Sequence, residues 1–169
     1  MPGASGSTER GRRRSGSVGR AVRLRPARAA DVSRLADLVQ AAYGHYVERL
    51  GGPPRPMTDD YADVVRDRRV TVAEREGAIV GLIVLGVDDE GFVVDNVAVD
   101  PSHQGYGVGR ALLEHAELEA RCAGFESIYL CTHERMIENL AMYARIGYVE
   151  YDRRPIGEAR LVYLRKRLG

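Results

Sequence analysis

The sequence predicts a mixed α/β layer architecture, and three observations carry that prediction. Period-two and period-3.6 hydrophobic patterns succeed one another in the order β-α-α-β-β-β-α-β-α-β-β. Pro26, Gly124 and Gly147 stand where a strand or helix pattern stops. Finally, 169 residues with 44% hydrophobic and 29% charged side chains suit a single globular core.

The elements follow in order. Val22, Leu24 and Pro26 alternate with Arg23 and Arg25, a short half-buried strand. Asp31 precedes a helical stripe of Val32, Leu35, Leu38, Val39 and Ala42. The stretch from Tyr43 to Tyr61 is irregular, broken by Gly51-Gly52-Pro53-Pro54 and Pro56. Strands are predicted at Val70 to Ala73 and Ile79 to Val87, joined by a turn at Glu76-Gly77, and another at Phe92 to Val99. A helix over about Gly107 to Ala123 carries Leu112, Ala116 and Ala120, with Gly124 as its stop. A strand at Ser127 to Thr132 and a helix at Ile137 to Ile146 follow. Two last strands, Tyr148 to Arg153 and Arg160 to Arg167, flank a turn at Pro155-Ile156-Gly157.

Charge separates the first twenty residues from the rest: residues 1–20 carry +4 and the remainder −3. The Gly, Ser and Arg composition of 1–20 predicts a disordered basic tail, because it holds almost nothing apolar to offset its ordering entropy. It also lacks the apolar stretch of a secretory signal. The mildly acidic body gives no reason to expect a specific nucleic-acid partner. No window approaches the roughly 18 apolar residues of a membrane span. Cys122 and Cys131 are too few for a disulfide framework or a four-ligand zinc site, so no metal is expected and a reducing cytoplasm is the expected compartment.

The run Asp95 to Arg110 is the most informative. A strand ends at Pro101, a Gly-rich loop follows, and an amphipathic helix starts at once, an arrangement suited to a pyrophosphate. The dinucleotide pattern G-x-G-x-x-G fails, because Leu112 stands where its last Gly belongs; the P-loop fails too, because Arg110-Ala111 replace its Lys-Ser/Thr. What fits is Q/R-x-x-G-x-G/A, here Gln104-Gly105-Tyr106-Gly107-Val108-Gly109, after the strand end Val97-Ala98-Val99-Asp100-Pro101. A second signature, Asn139-x-x-x-Tyr143-x-x-x-Gly147-Tyr148, agrees. With these motifs and this element order the chain resembles the GNAT superfamily of acetyl-CoA-dependent N-acetyltransferases. The resemblance covers Ala21 to Leu168, so it implies one GNAT domain over 21–169, a mixed central sheet flanked by helices.

The resemblance also implies roles. Val97, Ala98 and Val99 would pair their backbone with the pantetheine arm of acetyl-CoA, beside a bulge that splays this strand from the next. Gln104, Gly105, Tyr106, Gly107, Val108, Gly109 and Arg110 would cradle the pyrophosphate. Asn139 would bond the pantetheine region, and Tyr143 would stand at the thioester sulfur.

Acyl transfer to an amine makes three demands: a proton must leave the ammonium, an oxyanion needs an N–H donor, and the departing thiolate is better protonated. Tyr143 is the candidate acid, on the same helix face as Asn139. For the base, Asp95 alternates with Val93, Val97 and Val99 on one strand face among apolar side chains. His133, just past the next strand, is the rival. Glu134 and Glu138 are weaker options, and a water relay or no single base is the remaining alternative. Cys131 is expected as packing rather than as a nucleophile.

The segment after the first helix usually walls the acceptor site in this family, which makes Tyr46, Arg49 and Asp60 the expected acceptor contacts. Arg49 would suit a carboxylate or phosphate, and Asp60 an ammonium. The expected partner is a small-molecule amine. A protein N-terminus or lysine, and a catalytically inactive acyl-CoA sensor, are the alternatives. A homodimer is compatible with all of them.

Overall fold

The computed structural model describes residues 21–169; the expected tail at 1–20 lies outside the described residues. Seven strands form one sheet in the order β1-β2-β3-β4-β5-β7-β6. They are β1 (Arg23–Pro26), β2 (Arg69–Arg75), β3 (Ala78–Asp88), β4 (Gly91–Val99), β5 (Ser127–His133), β6 (Val149–Ile156) and β7 (Ala159–Arg167). Every neighbouring pair is antiparallel except β4 and β5. The helices are α1 (Val32–Tyr43), the single turn α2 (Val47–Leu50), α3 (Tyr61–Asp67), α4 (Val108–Cys122) and α5 (Ile137–Arg145). The expected element order holds, and the irregular segment proves to contain α2 and two 3₁₀ turns. Among the described residues no helix is long and apolar enough to cross a membrane.

Two apolar clusters sandwich the sheet. On one face α1 and α3 bury Leu35, Leu38, Val39 and Val64 against Val72, Leu82, Val84 and Ala98. On the other, α4 buries Val108, Leu112, Leu113 and Ala116 against Ile83, Leu85, Phe92, Val94 and Ile128. Gly81 lets α4 approach closely: a Cβ there would lie 2.9 Å from Val108 Cγ1 and 3.1 Å from Leu112 Cδ1. The first strand is tied to the start of α1 by Arg25, whose guanidinium meets Asp31 at 2.8 Å and Glu74 at 2.7 Å.

One irregularity organises the site. In the β3–β4 ladder Leu85 pairs with Val94 but Val84 pairs with Asn96, so Asp95 is an inserted residue, a β-bulge. The insertion reverses which residues face which helix layer. Before it, Phe92 and Val94 pack toward α4; after it, Val97 and Val99 do so, while Ala98 packs toward α1. The predicted single face holding Val93, Asp95, Val97 and Val99 is therefore corrected: simple alternation assumes an unbroken ladder, and the bulge breaks it. Strand β4 also leaves β5 at this point, since their parallel pairing covers only Phe92, Val93 and Val94. From Asp95 to Val99 the strand has no partner on the β5 side among the described residues, as the resemblance implies.

Candidate active site

The split between β4 and β5 opens into two cavities. The first, about 490 Å³, is lined by Val97 to Val99, by the loop from His103 to Arg110 apart from Tyr106, and by Asn139, Met142 and Tyr143 of α5. The second, about 610 Å³, is bounded by the Pro53-to-Pro56 segment, the β4 bulge, the end of β5 and the β6–β7 hairpin. Tyr43, Val97, Asn139 and Tyr143 line both, so they mark the junction.

The loop chemistry explains the first cavity. Gly105 and Gly107 have φ of +81° and +84°, left-handed conformations that favour glycine. Gly107 is the N-cap of α4 and offers no side-chain bond to the first turn, so those N–H groups are left for a guest. Aligned peptide dipoles add partial positive charge at the same end. Of the expected cofactor residues, Val97, Ala98, Val99, Gln104, Gly105, Gly107, Val108, Gly109, Arg110 and Asn139 all line this cavity. Tyr106 is the exception. It is 64% exposed, and the Arg75 guanidinium sits 4.6 Å from its ring centroid, outside the lining.

Tyr143 occupies the junction. Its ring packs edge-on to Tyr148 at 5.8 Å and is 6% exposed, and its hydroxyl has no hydrogen-bond partner among the described residues. Burial, with the Cys131 thiol nearby, pushes its pKa above the ordinary phenol value. Asn139 shares the same helix face and touches Met136 Sδ at 3.6 Å.

The two expected bases are otherwise engaged. The Asp95 carboxylate takes Arg55 on one oxygen at 3.0 Å and Arg68 on the other at 2.5 Å, so its setting is an ion-pair cluster rather than an apolar one. It faces Arg55 in the 3₁₀ turn before α3 and Arg68 just after that helix. His133 accepts the Arg135 backbone N–H on Nδ1 at 3.1 Å, which leaves the neutral ring's proton on Nε2. Burial, followed by the neighbouring Arg135, holds its pKa below the usual imidazole value. Glu134 accepts the Arg160 N–H at 2.9 Å and so fastens β7.

The expected acceptor contacts are also redistributed. Arg49 is bound to Glu138 at 2.8 Å, and this pair laces the segment after α1 to α5. Asp60 caps α3 by accepting the Ala62 N–H at 2.9 Å, and neither residue lines a cavity. Tyr46 is buried and lines the first cavity, not the second. Sequence reasoning missed Tyr43, Asn96 and Arg55. Asp60 before Tyr61, Val64 and Val65 was a readable helix start; the partners of Asp95 lie 27 and 40 residues away, beyond any local pattern. No cluster of metal-ligating side chains occurs among the described residues.

Comparison with known proteins bears on the family and the fold. A family model described as an acetyltransferase (GNAT) domain matches residues 66–150. An IAA acetyltransferase of Azospirillum brasilense is 38% identical over 93 residues, covering 54% of this chain and 60% of that protein. The chain thus spans about three fifths of the length of the curated relative it matches. Among solved structures, the PaiA N-acetyltransferase of Thermoplasma acidophilum in complex with coenzyme A aligns with a TM-score of 0.74 at 14% identity, covering 87% of this chain and 99% of that one. The ribosomal-protein-S18-alanine N-acetyltransferase of Escherichia coli aligns at 0.69 and 19% identity, covering 88% and 94%. At these identities the likeness is one of fold.

Proposed function

The chain belongs to the GNAT acetyltransferase family, and from that premise we propose that it moves an acetyl group from acetyl-CoA directly to a primary amine of a small molecule. The observation that carries the reading is the meeting of two cavities at the β4–β5 split, with Val97, Asn139 and Tyr143 at the junction. A donor held in one cavity and an acceptor in the other would meet there.

The residues present fit acetyl-CoA. The left-handed Gly105 and Gly107 and the uncapped first turn of α4 form an N–H cradle suited to a pyrophosphate. The open edge of β4 from Asp95 to Val99 suits an extended amide-bearing arm, held like an added strand. When bound, acetyl-CoA supplies an activated thioester.

The chain's own groups then have distinct tasks. Tyr143 holds a proton beside the junction, and its raised pKa keeps it protonated at neutral pH. It gives that proton to the leaving sulfur and recovers one from water. The amine's proton leaves to water, because Asp95 and His133 are engaged as described. One C–N bond forms and one C–S bond breaks, with no covalent enzyme intermediate required.

The test is thermal unfolding with ligands, followed by an assay of thiol release. Acetyl-CoA should raise Tm well above the shift from ATP or NAD, as a native-state ligand must. Equal shifts from ATP would overturn the pantetheine assignment, and a shift without thiol release from any amine would overturn the transfer.

A further inference from the structure

We propose that the acceptor is a primary amine on an uncharged apolar body, an alkyl or aryl amine, rather than an amino acid, a phosphorylated amine or a polyamine. The inference rests on the acetyl-transfer reading and concerns what the second cavity selects.

The charges on the β4 wall of the cavity are balanced among the described residues. Asp95 and Arg55 face it, and both belong to a cluster completed by Arg68 and Asp59, with contacts of 2.5 to 3.0 Å. Two guanidiniums and two carboxylates leave no net charge. The polar groups deeper in are spent as well. Asn96 is occupied by Tyr43 at 2.7 Å and Tyr61 at 3.2 Å, and Thr132 donates to Met136 Sδ at 3.4 Å. The two other charged side chains lining the space, Arg135 and Glu158, are exposed. Arg135 touches the Arg49 carbonyl at 3.4 Å, and Glu158 sits in the turn between β6 and β7.

An acceptor's carboxylate or phosphate would therefore lose water and gain no buried countercharge from the described residues, which is unfavourable. A second ammonium would face the same loss. Arg49, the one residue the sequence suggested for an anion, is neutralised by Glu138. The apolar part of the lining is Pro53, Pro54 and Pro56 with Leu130, Met136 and Leu161; the Cys131 thiol and the His133 ring also line it, and burial favours the neutral form of both, so neither supplies a countercharge. A volume of about 610 Å³ lies in the range of small-ligand pockets. The reacting amine is the acceptor's one polar group, and it belongs at the junction beside Tyr143.

The experiment measures thiol release by the full chain at fixed acetyl-CoA with phenethylamine, hexylamine, glutamate, phosphoethanolamine, spermidine and a short peptide with a free N-terminus. Phenethylamine and hexylamine should exceed every charged amine and the peptide by about 100-fold in kcat/KM. A charged amine or the peptide turned over as well or better would overturn the proposal. Silence from all amines, with the Tm rise from acetyl-CoA intact, would instead overturn the transfer reading on which it rests.

Discussion

The Tyr43 hydroxyl lies 2.7 Å from Asn96 Oδ1 and shares its proton with the Val97 carbonyl at 3.1 Å, fastening the end of α1 to the strand just past the bulge. Asn96 in turn donates to the Tyr61 hydroxyl at 3.2 Å, which donates to the Pro56 carbonyl at 2.9 Å. One chain of bonds thus links the wall of the second cavity to the strand edge at the junction. Tyr43→Phe would leave the buried Asn96 amide oxygen and the half-buried Val97 carbonyl short of a donor, costing about 1–3 kcal/mol. A 169-residue chain should then lose about 2–4 °C of Tm per kcal/mol. kcat should fall by more than acetyl-CoA affinity does. Unchanged kcat with lowered Tm would leave Tyr43 a purely structural residue.

Strands and helices were legible because their periods are local. Phe92 to Val99 reads as a strand from its alternation, and the structure has one there. The bulge inside it was not legible, since an inserted residue leaves the sequence alternation intact while reversing the faces. The cofactor loop was legible because glycine at 105 and 107 reports a backbone conformation directly. The acceptor side was not, because the partners of Asp95, Arg49 and Asn96 come from segments distant in sequence.

The loop glycines should separate by mechanism. Gly109 is helical, and a Cβ there would make an ordinary 3.5 Å contact with Val99 Cγ2. Gly109→Ala should fold and bind acetyl-CoA nearly normally, whereas Gly109→Val should fold but bind at least tenfold more weakly by calorimetry. Gly107 has open space but a φ of +84°. Gly107→Ala should therefore lose about 1 kcal/mol of stability through backbone strain. Identical effects on stability at both positions would contradict this division.

Asp100 gives a prediction with a pH sign. Ser102 bonds its carboxylate at 2.7 Å and Arg34 at 2.7 Å, holding its pKa at about 2 against an ordinary 3.8. A depressed carboxylate pKa contributes stability above the unfolded value and loses it as pH falls through the folded one. Asp100→Asn should cost about 2 kcal/mol at pH 7, one pKa unit being worth about 1.4 kcal/mol. The deficit should shrink as pH falls from about 4 toward 2, the window set by those two values. A deficit constant with pH in chemical denaturation would refute the ion-pair origin.

His133 should be dispensable as a base. Its Nδ1 lone pair accepts the Arg135 N–H, so the neutral ring presents a proton rather than an acceptor. His133→Gln should keep kcat within about threefold, and kcat/KM should rise with pH toward the acceptor's own pKa. An inflection below the usual imidazole value that vanishes in the variant would restore His133 as the base.

Tyr143→Phe isolates the proton at the junction. The ring, its edge-on contact with Tyr148 and the Asn139 face are kept, and no hydrogen bond among the described residues is lost. Tm and acetyl-CoA affinity should therefore change little. kcat should fall roughly 10²-fold, the low end for a positioned acid. An equal fall in kcat/KM would place the loss in the transition state rather than in ground-state binding. Because burial raises the Tyr143 pKa, any alkaline limb it causes belongs above its ordinary value of about 10 and should be absent from the variant. A variant with near-full kcat would mean that the thiolate, with a pKa of about 8.5, leaves unaided and that Tyr143 only packs the junction.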